Sequence, residues 1–280
     1  MARPPPGTAA RPKRAQLAPH LQGEERHQRG FRAPARCQPE AGAPKGAATI
    51  GAPVPLPADF HSRVTACRAC PRLVAHREAV AREPPRRFRG LEYWARPVPS
   101  LGDEGFRLLI VGLAPAAHGA NRTGRMFTGD RSGEWLYEAL HRSGFSSAPY
   151  SPNPGDGLRL LDTRITAAIH CAPPANRPTA AELAACQPFL EEEIRRAARL
   201  RVVLALGSIA FRTFLRTWKA LGRAVPTPLP RFGHGAAARI APGTHLLASY
   251  HPSQQNTFTG RLTRPMFHEV FATARELCGK

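Results

Sequence analysis

Four apolar, β-branched-rich runs alternate with longer helix-like segments in this 280-residue chain. The apolar runs span residues 107–112, 164–170, 201–206 and 245–250. The helix-like segments span residues 132–142, 179–199, 208–221 and 263–278, and Thr179 with Glu182 forms a capping box at the start of the second. Strands that alternate with helices of this length indicate βαβ units and a parallel sheet covered on both faces. We therefore predict an α/β fold.

Unusual residues follow three of the four predicted strands. They lie in the segments Gly112–Asp130, His170–Asn176 and His251–Asn256. Because ligands of such sheets bind beyond the carboxyl ends of the strands, these segments predict one shared active site. The first segment carries four glycines, which lack a Cβ and let the backbone come close to a ligand.

The charge of the chain favours a polyanionic partner. Its formal net charge is +20, from 40 Lys and Arg against 20 Asp and Glu, and such a charge promotes binding to phosphate-rich polymers. A solvated cationic surface without a specific partner is the alternative. No run of about 18 apolar residues and no secretory signal is seen, so we expect no membrane span and a cytoplasmic, nucleoid-associated protein.

The chain divides into two regions by composition. Residues 1–57 are rich in Pro, Ala, Gly and Arg and have no sustained apolar period, so we predict a disordered basic extension. It would serve as a nucleic-acid tether or be dispensable. Residues 58–280 form the predicted catalytic domain, whose first helical segment is interrupted at Cys70 and Pro71.

Four cysteines form a candidate metal site. Cys67 and Cys70 make a C-x-x-C pair, and Cys171 and Cys186 stand fifteen residues apart. Four thiolates suit either tetrahedral zinc or an iron–sulfur cluster, and the spacing leaves both open. Two incidental and two buried thiols are the remaining alternative.

Three motifs carry a resemblance to a known family. They read GLAPAAHGANRTGRMFTGD at residues 112–130, HCAPPANRPT at 170–179 and HPSQQNT at 251–257. With the four cysteines in the same order, they resemble the type-B branch, or family 5, of the uracil-DNA glycosylase superfamily, over about residues 60–278. The resemblance implies a three-layer α/β/α fold with a central four-stranded parallel sheet. It also implies a structural [4Fe–4S] cluster on Cys67, Cys70, Cys171 and Cys186.

The resemblance also implies roles for residues of the predicted site. The base-binding residues would be Gly112, Ala114, Phe127, Asn176 and His251. Phe127 would stack on the extruded base and Asn176 would hydrogen-bond its edge. His251 would stabilise the negative charge that develops on the leaving base. A packed aromatic, a turn residue and a core histidine are the respective alternatives.

Asp130 is the nearest carboxylate in the first motif. It would orient the attacking water or stabilise the sugar cation, which makes it a third catalytic candidate beside His251 and Asn176. It could equally cap the helix that begins after it. Leu113–Ala116, where other branches of the superfamily carry Asp or Asn, have no polar side chain.

The predicted contacts to the DNA backbone lie in the same motifs. A loop after His251 could wedge into the duplex, and arginines near it would meet phosphate. The candidates are Arg122, Arg125, Ser253, Gln255 and Arg261. A solvated surface role is the alternative for each arginine.

These observations predict a monomeric, monofunctional DNA glycosylase. It would hydrolyse the glycosidic bond of uracil, and of deaminated bases such as hypoxanthine, in DNA. The three motifs contain no lysine, which argues against Schiff-base lyase chemistry. Two rival hypotheses are a four-cysteine metal module that binds damaged DNA without chemistry, and a hydrolase of free nucleosides.

Overall fold

The computed structural model describes residues 55–280. Most of the predicted basic extension therefore lies outside the described residues. Its last three residues are described, and Leu56 packs in a small apolar cluster with Phe60 and Val64. The carbonyl of Pro55 accepts a hydrogen bond from Arg196 at 2.7 Å. Residues 55 and 56 thus contact the folded domain, and the boundary at residue 57 stays a prediction.

Six strands form one sheet. They are β1 (Leu101–Gly102), β2 (Leu108–Gly112), β3 (Thr163–Ala167), β4 (Val202–Leu206), β5 (Ala237–Ala241) and β6 (Thr244–Ser249). The order in the sheet is β1-β3-β2-β4-β6-β5. β3, β2, β4 and β6 are parallel, which confirms the four predicted strands. β1 and β5 are antiparallel edge strands that the sequence analysis missed.

Eight α-helices surround the sheet in the described part of the chain. They are α1 (Phe60–Ala66), α2 (Pro71–Arg82), α3 (Ala120–Thr123), α4 (Arg131–Arg142), α5 (Ala180–Arg196), α6 (Ser208–Ala220), α7 (Gln254–Phe258) and α8 (Arg264–Leu277). Single 3₁₀ turns occur at Arg86–Phe88 and Pro174–Asn176. The predicted capping box is present at the start of α5. None of the helices in residues 55–280 is long and apolar enough to cross a membrane.

The sheet separates two apolar cores. On β2, Leu108 and Ile110 face the core that α4 and α8 cover, whereas Leu109 and Val111 face the core that α5 and α6 cover. Side chains of a strand alternate between its two faces, so each face of the buried strands needs its own apolar layer. The result is the α/β/α architecture, and its loops meet at the carboxyl edge of the parallel strands.

Candidate active site

A cleft of about 1120 Å³ opens at the carboxyl edge of the sheet. Residues after all four parallel strands line it, including Leu113, Pro173, Gly207 and His251. The chain passes from β2 to β3 on one side and then crosses to β4 on the other, so the direction of winding reverses at β2. Ligands of open α/β sheets bind at such a switch point. The structure thus brings the three unusual segments of the sequence to one site.

Phe127 forms an aromatic wall of the cleft. Its ring lies so close to Gly112 that a Cβ at Gly112 would come within 3.3 Å of it. The rings of Phe127 and His251 are near-parallel, with centroids 5.9 Å apart and an interplanar angle of 28°. Phe127 has a φ of 55°, a left-handed conformation that is rare for a bulky residue. Ala114, two residues beyond β2, also lines the cleft.

His251 lies two residues beyond the end of β6. Its carbonyl accepts a hydrogen bond from the side-chain amide of Asn256 at 2.9 Å, which ties the strand exit to α7. Burial lowers the pKa of the His251 imidazole to about 4. The ring is therefore neutral at physiological pH and carries one N–H donor.

Asp130 is both a helix cap and a lining residue of the cleft. Its Oδ1 accepts a hydrogen bond from the backbone N–H of Gly133 at 3.0 Å. Its Oδ2 lies against Gly119, where a Cβ would collide with it, and accepts no hydrogen bond from the described residues. Burial raises the pKa of the Asp130 carboxyl above its usual value. One oxygen thus caps the helix while the other lies against Gly119, itself a lining residue of the cleft, so capping and catalysis are compatible.

Asn176 lies at the mouth of the cleft, in the turn that follows β3. It is exposed, and both it and Ala175 have a positive φ, of 54° and 50°. Five non-glycine residues in the described chain have a positive φ, and three of them, Phe127, Ala175 and Asn176, line the cleft. Strained backbone of this kind is concentrated at functional sites.

Three of the five predicted DNA contacts line the cleft. Ser253 and Gln255 line it, and Ser253 caps α7 by accepting the Asn256 N–H. Arg122 lines it too, and donates hydrogen bonds to the carbonyls of His118 and Gly129 at 2.9 and 3.1 Å. Arg261 is exposed and does not line the cleft, and its guanidinium carbon lies 4.5 Å from the ring centroid of Tyr250.

Arg125 does not fit its predicted role as a DNA contact. Its side chain is buried and pairs with Asp156 at 2.7 Å. It also donates hydrogen bonds to the carbonyls of Asn153 and Leu158, both at 3.1 Å. The guanidinium holds this loop against the domain, so it is not available to a phosphate in this conformation.

A second cavity is lined by the four cysteines of the predicted metal site. Cys67 and Cys70 flank the junction of α1 and α2, Cys171 follows β3, and Cys186 lies in α5. The remaining lining is largely apolar and includes Val64, Leu73, Val74, Ile169 and Phe189. No group of three or more His, Cys, Asp or Glu side chains in the described residues is arranged to hold a single metal ion. The four cysteines line one cavity in the described part of the chain.

Two polar side chains beside this cavity lack ordinary partners. Arg77 is only 2% exposed, and its Nη1 donates to the sulfur of Cys171 at 3.0 Å. Its Nε has no hydrogen-bond partner, and no carboxylate pairs with the guanidinium within the described residues. His170 donates from Nδ1 to the carbonyl of Val98 at 2.7 Å, whereas its buried Nε2 has no partner. A buried guanidinium without a counter-ion is costly, so Arg77 fits an anionic occupant of the cavity.

Comparison with known proteins identifies the family. Residues 99–275 match a family model described as the uracil DNA glycosylase superfamily. This range contains the whole sheet and the residues after all four parallel strands. The chain belongs to this superfamily. Cys67 and Cys70 precede the matched range.

Individual members of the superfamily are similar over most of their length. A Type-5 uracil-DNA glycosylase of Thermus thermophilus is 53% identical over 220 residues, which cover 79% of this chain and 97% of the relative. A protein of the same name from Mycobacterium tuberculosis is 52% identical over 222 residues, 79% of this chain and 81% of the relative. A third, from Pyrobaculum aerophilum, is 48% identical over 216 residues, which cover 77% of this chain and 91% of the relative.

The sequence analysis did not single out several residues of the cleft. Gly119 supports the Asp130 carboxylate, and Asn256 fixes the backbone of His251. Arg87, Phe88 and Tyr150 also line the cleft. Gly119 was visible as one of the four glycines of the first motif, and Asn256 as part of the third. Arg87, Phe88 and Tyr150 lie outside the motifs, and no local signal distinguishes them.

Proposed function

We propose that this chain removes uracil from DNA by hydrolysing the bond between the base and the deoxyribose. The observation that carries this proposal is one cleft lined by an aromatic ring, a neutral imidazole and a carboxylate. These are Phe127, His251 and Asp130. The relatives named uracil-DNA glycosylases and the net charge of +20 support the same substrate. The two rival functions, a non-catalytic binding module and a hydrolase of free nucleosides, are not favoured.

The base is bound first. An enzyme that acts on a base must take it out of the stack, and an aromatic side chain is the usual platform for the extruded base. Phe127 offers that platform because Gly112 leaves room behind its ring. Asn176 at the mouth can donate to and accept from the polar edge of uracil.

The glycosidic bond then breaks with its electron pair moving to the base. The base leaves as an anion with negative charge on its carbonyl oxygen, while positive charge develops on the deoxyribose. The neutral His251 donates its N–H to that oxygen. A charged imidazolium is not needed, since a neutral ring that is already oriented costs no reorganisation during the reaction.

A water molecule completes the reaction at the sugar C1′. Asp130 Oδ2 accepts a hydrogen bond from this water and directs its oxygen to C1′. A new C–O bond forms there, a proton of the water passes through Asp130 to solvent, and the base anion takes up a proton from solvent. The products are free uracil and an abasic site in an uncut strand.

The range of bases is a finer proposal. The wall that follows β2 consists of Leu113, Ala114, Pro115 and Ala116, which offer no side-chain hydrogen bonds to discriminate between base edges. A wall of this kind accepts related bases, so we infer that deaminated purines such as hypoxanthine are also substrates. We further infer that the enzyme is a monomer, since residues of one chain line the whole cleft, and that it works in the cytoplasm at the nucleoid, where its DNA substrate lies.

We infer that a [4Fe–4S] cluster occupies the second cavity. Cys67, Cys70, Cys171 and Cys186 would hold it, as the resemblance implies. A cluster with four thiolate ligands is anionic, so it would compensate the buried positive charge of Arg77. Apolar side chains packed into the cavity would not. When bound, it would tie α1, α2, the exit of β3 and α5 together, and it would supply no step of the hydrolysis.

Excision from defined oligonucleotides tests the function. Duplexes with one U·G, U·A or hypoxanthine·T pair are incubated with the wild-type chain, His251→Gln and Ala181→Ser, the last an exposed control in α5. We expect abasic sites from the wild type and the control, and a loss of 10²-fold or more in His251→Gln, about the effect of removing one donor to a developing anion. DNA binding without release of any base would support the non-catalytic module. Release from deoxyuridine but not from DNA would support the nucleoside hydrolase.

A further inference from the structure

The cleft extends beyond the part that contacts the base. Its volume of about 1120 Å³ is above the ~300–1,000 Å³ of typical small-molecule sites. The extension is walled by α2 and the 3₁₀ turn at Arg86–Phe88, with His76, Arg87, Phe88, His118 and Arg122 among the lining residues. Both elements lie outside the three sequence motifs. Of the five residues, only His118 and Arg122 belong to a motif.

Phe88 organises the cations of this extension. The guanidinium carbons of Arg87 and Arg122 lie 4.7 and 4.8 Å from the centroid of its ring. His118 stacks on the same ring, with centroids 5.7 Å apart and an interplanar angle of 29°. Cations over an aromatic face are held there electrostatically. The ring is thus already covered, so it is a support for guanidinium groups and not a free platform for a second base.

Arg87 is the cation left for a ligand. Arg122 donates to the carbonyls of His118 and Gly129, and His118 is hydrogen-bonded to the hydroxyl of Tyr93 at 3.0 Å. Burial, with Arg87 and Arg122 nearby, lowers the pKa of His118, which keeps this ring neutral. Arg87 is exposed and has no ion pair or side-chain hydrogen bond within residues 55–280.

We propose that Arg87, held over Phe88, binds the phosphodiester that flanks the extruded nucleotide. This subsite rests on the proposed function, because it takes the same DNA strand as the base pocket. A guanidinium fork matches the geometry of phosphate oxygens. The two acidic residues of the cleft, Asp130 and Glu134, both belong to the start of α4 and not to this extension.

The neighbouring Arg86 provides a matched control. It belongs to the same 3₁₀ turn and is also exposed, but it does not line the cleft. The kcat/KM for uracil release is measured over a range of salt for the wild type, Arg87→Ala and Arg86→Ala. For Arg87→Ala we expect kcat/KM to fall about tenfold at low salt. We also expect the slope of log(kcat/KM) against log[salt] to be shallower than that of the wild type by about one. Arg86→Ala should stay close to the wild type.

A neutral phosphate analogue locates the contact. Oligonucleotides carry one methylphosphonate at successive positions on either side of the uracil. At one flanking position the loss caused by Arg87→Ala should disappear, because that DNA lacks the charge which Arg87 contacts.

The failures of the two proposals differ. A wild-type chain that releases no uracil would overturn the proposed function and this subsite with it. Normal release by the wild type, with equal effects of Arg87→Ala and Arg86→Ala or with no methylphosphonate position that removes the difference, would overturn the subsite alone.

Discussion

The carboxylate of Asp130 packs directly against Gly119, eleven residues earlier in the loop that follows β2. A Cβ at Gly119 would collide with Oδ2 of Asp130. The glycine is therefore required by the space that the carboxylate occupies. It fixes the position of the one Asp130 oxygen that remains free of hydrogen bonds to the described residues.

Replacing Gly119 should move the carboxylate without changing its chemistry. We expect Gly119→Ala to lower kcat for uracil release by about 10²-fold, since a shift near 1 Å can cost that much, with a smaller change in KM. Gly155→Ala serves as control, because a Cβ at Gly155 meets only Asn153 at an ordinary 3.7 Å. Equal kcat values for the two variants would show that the Gly119 contact does not position Asp130 for catalysis.

Two substitutions of Asp130 separate capping from catalysis. Asparagine caps a helix about as well as aspartate, whereas alanine costs roughly 0.5–2 kcal/mol of stability. Because burial already disfavours the charged carboxylate, Asp130→Asn should unfold at the same urea concentration as the wild type or a higher one. Asp130→Asn and Asp130→Ala should both lose most of the uracil-releasing activity. Full activity in Asp130→Asn would make the residue only a cap.

The pH dependence of excision should reflect Asp130 and not a titrating histidine. The pKa of Asp130 is raised above 3.8 by burial, so kcat/KM should fall as the pH decreases through that raised pKa and the carboxylate takes up a proton. His251 has a pKa of about 4 instead of 6.5, so it stays neutral through the pH range 5 to 8. The test is a pH profile of kcat/KM for the wild type and His251→Gln. An inflection of the profile near pH 6.5 that is lost in His251→Gln would contradict the prediction that His251 stays neutral.

Substitution of Arg77 tests whether an anion occupies the cavity lined by the four cysteines. If an anionic cluster is bound, Arg77→Met should lower the iron content per chain, weaken the visible absorbance and destabilise the protein. If the cavity holds no anion, removing an unpaired buried charge should stabilise the protein instead. Arg82→Met, at the exposed end of the same helix, is the control. Iron analysis and urea unfolding of the purified chains decide between the two outcomes.

Arg164 and Glu193 should form the most costly ion pair to break. Arg164 Nε lies 2.6 Å from Glu193 Oε1, and the two side chains are 1% and 0% exposed. Arg164→Met leaves a buried carboxylate unpaired, so we expect a loss of about 3–5 kcal/mol in the free energy of unfolding. Breaking the exposed pair of Arg195 and Glu191 with Arg195→Met should cost about 1 kcal/mol or less. Urea denaturation measures both, and similar losses would be the contrary result.

Local patterns were sufficient to predict the central architecture. The runs that became β2, β3, β4 and β6 are short and continuously apolar, as strands buried on both faces must be. The capping box at Thr179 and the break at Pro71 depend on neighbouring residues alone, and both are present. The edge strands β1 and β5 were missed because β1 has two residues and β5 is largely exposed, so neither carries a strong apolar period.

The sequence by itself determined which residue types the site contains, since the first and third motifs supply Phe127, Asp130 and His251. Only the tertiary structure decided what each polar group does. Arg122 and Arg125 look alike in the sequence, but Asp156, 31 residues away, draws Arg125 into the interior. Arg87 reaches the cleft because a turn outside every motif packs beside it. Periodicity and caps are local, whereas the burial of a charge and its choice of partner depend on contacts between distant segments.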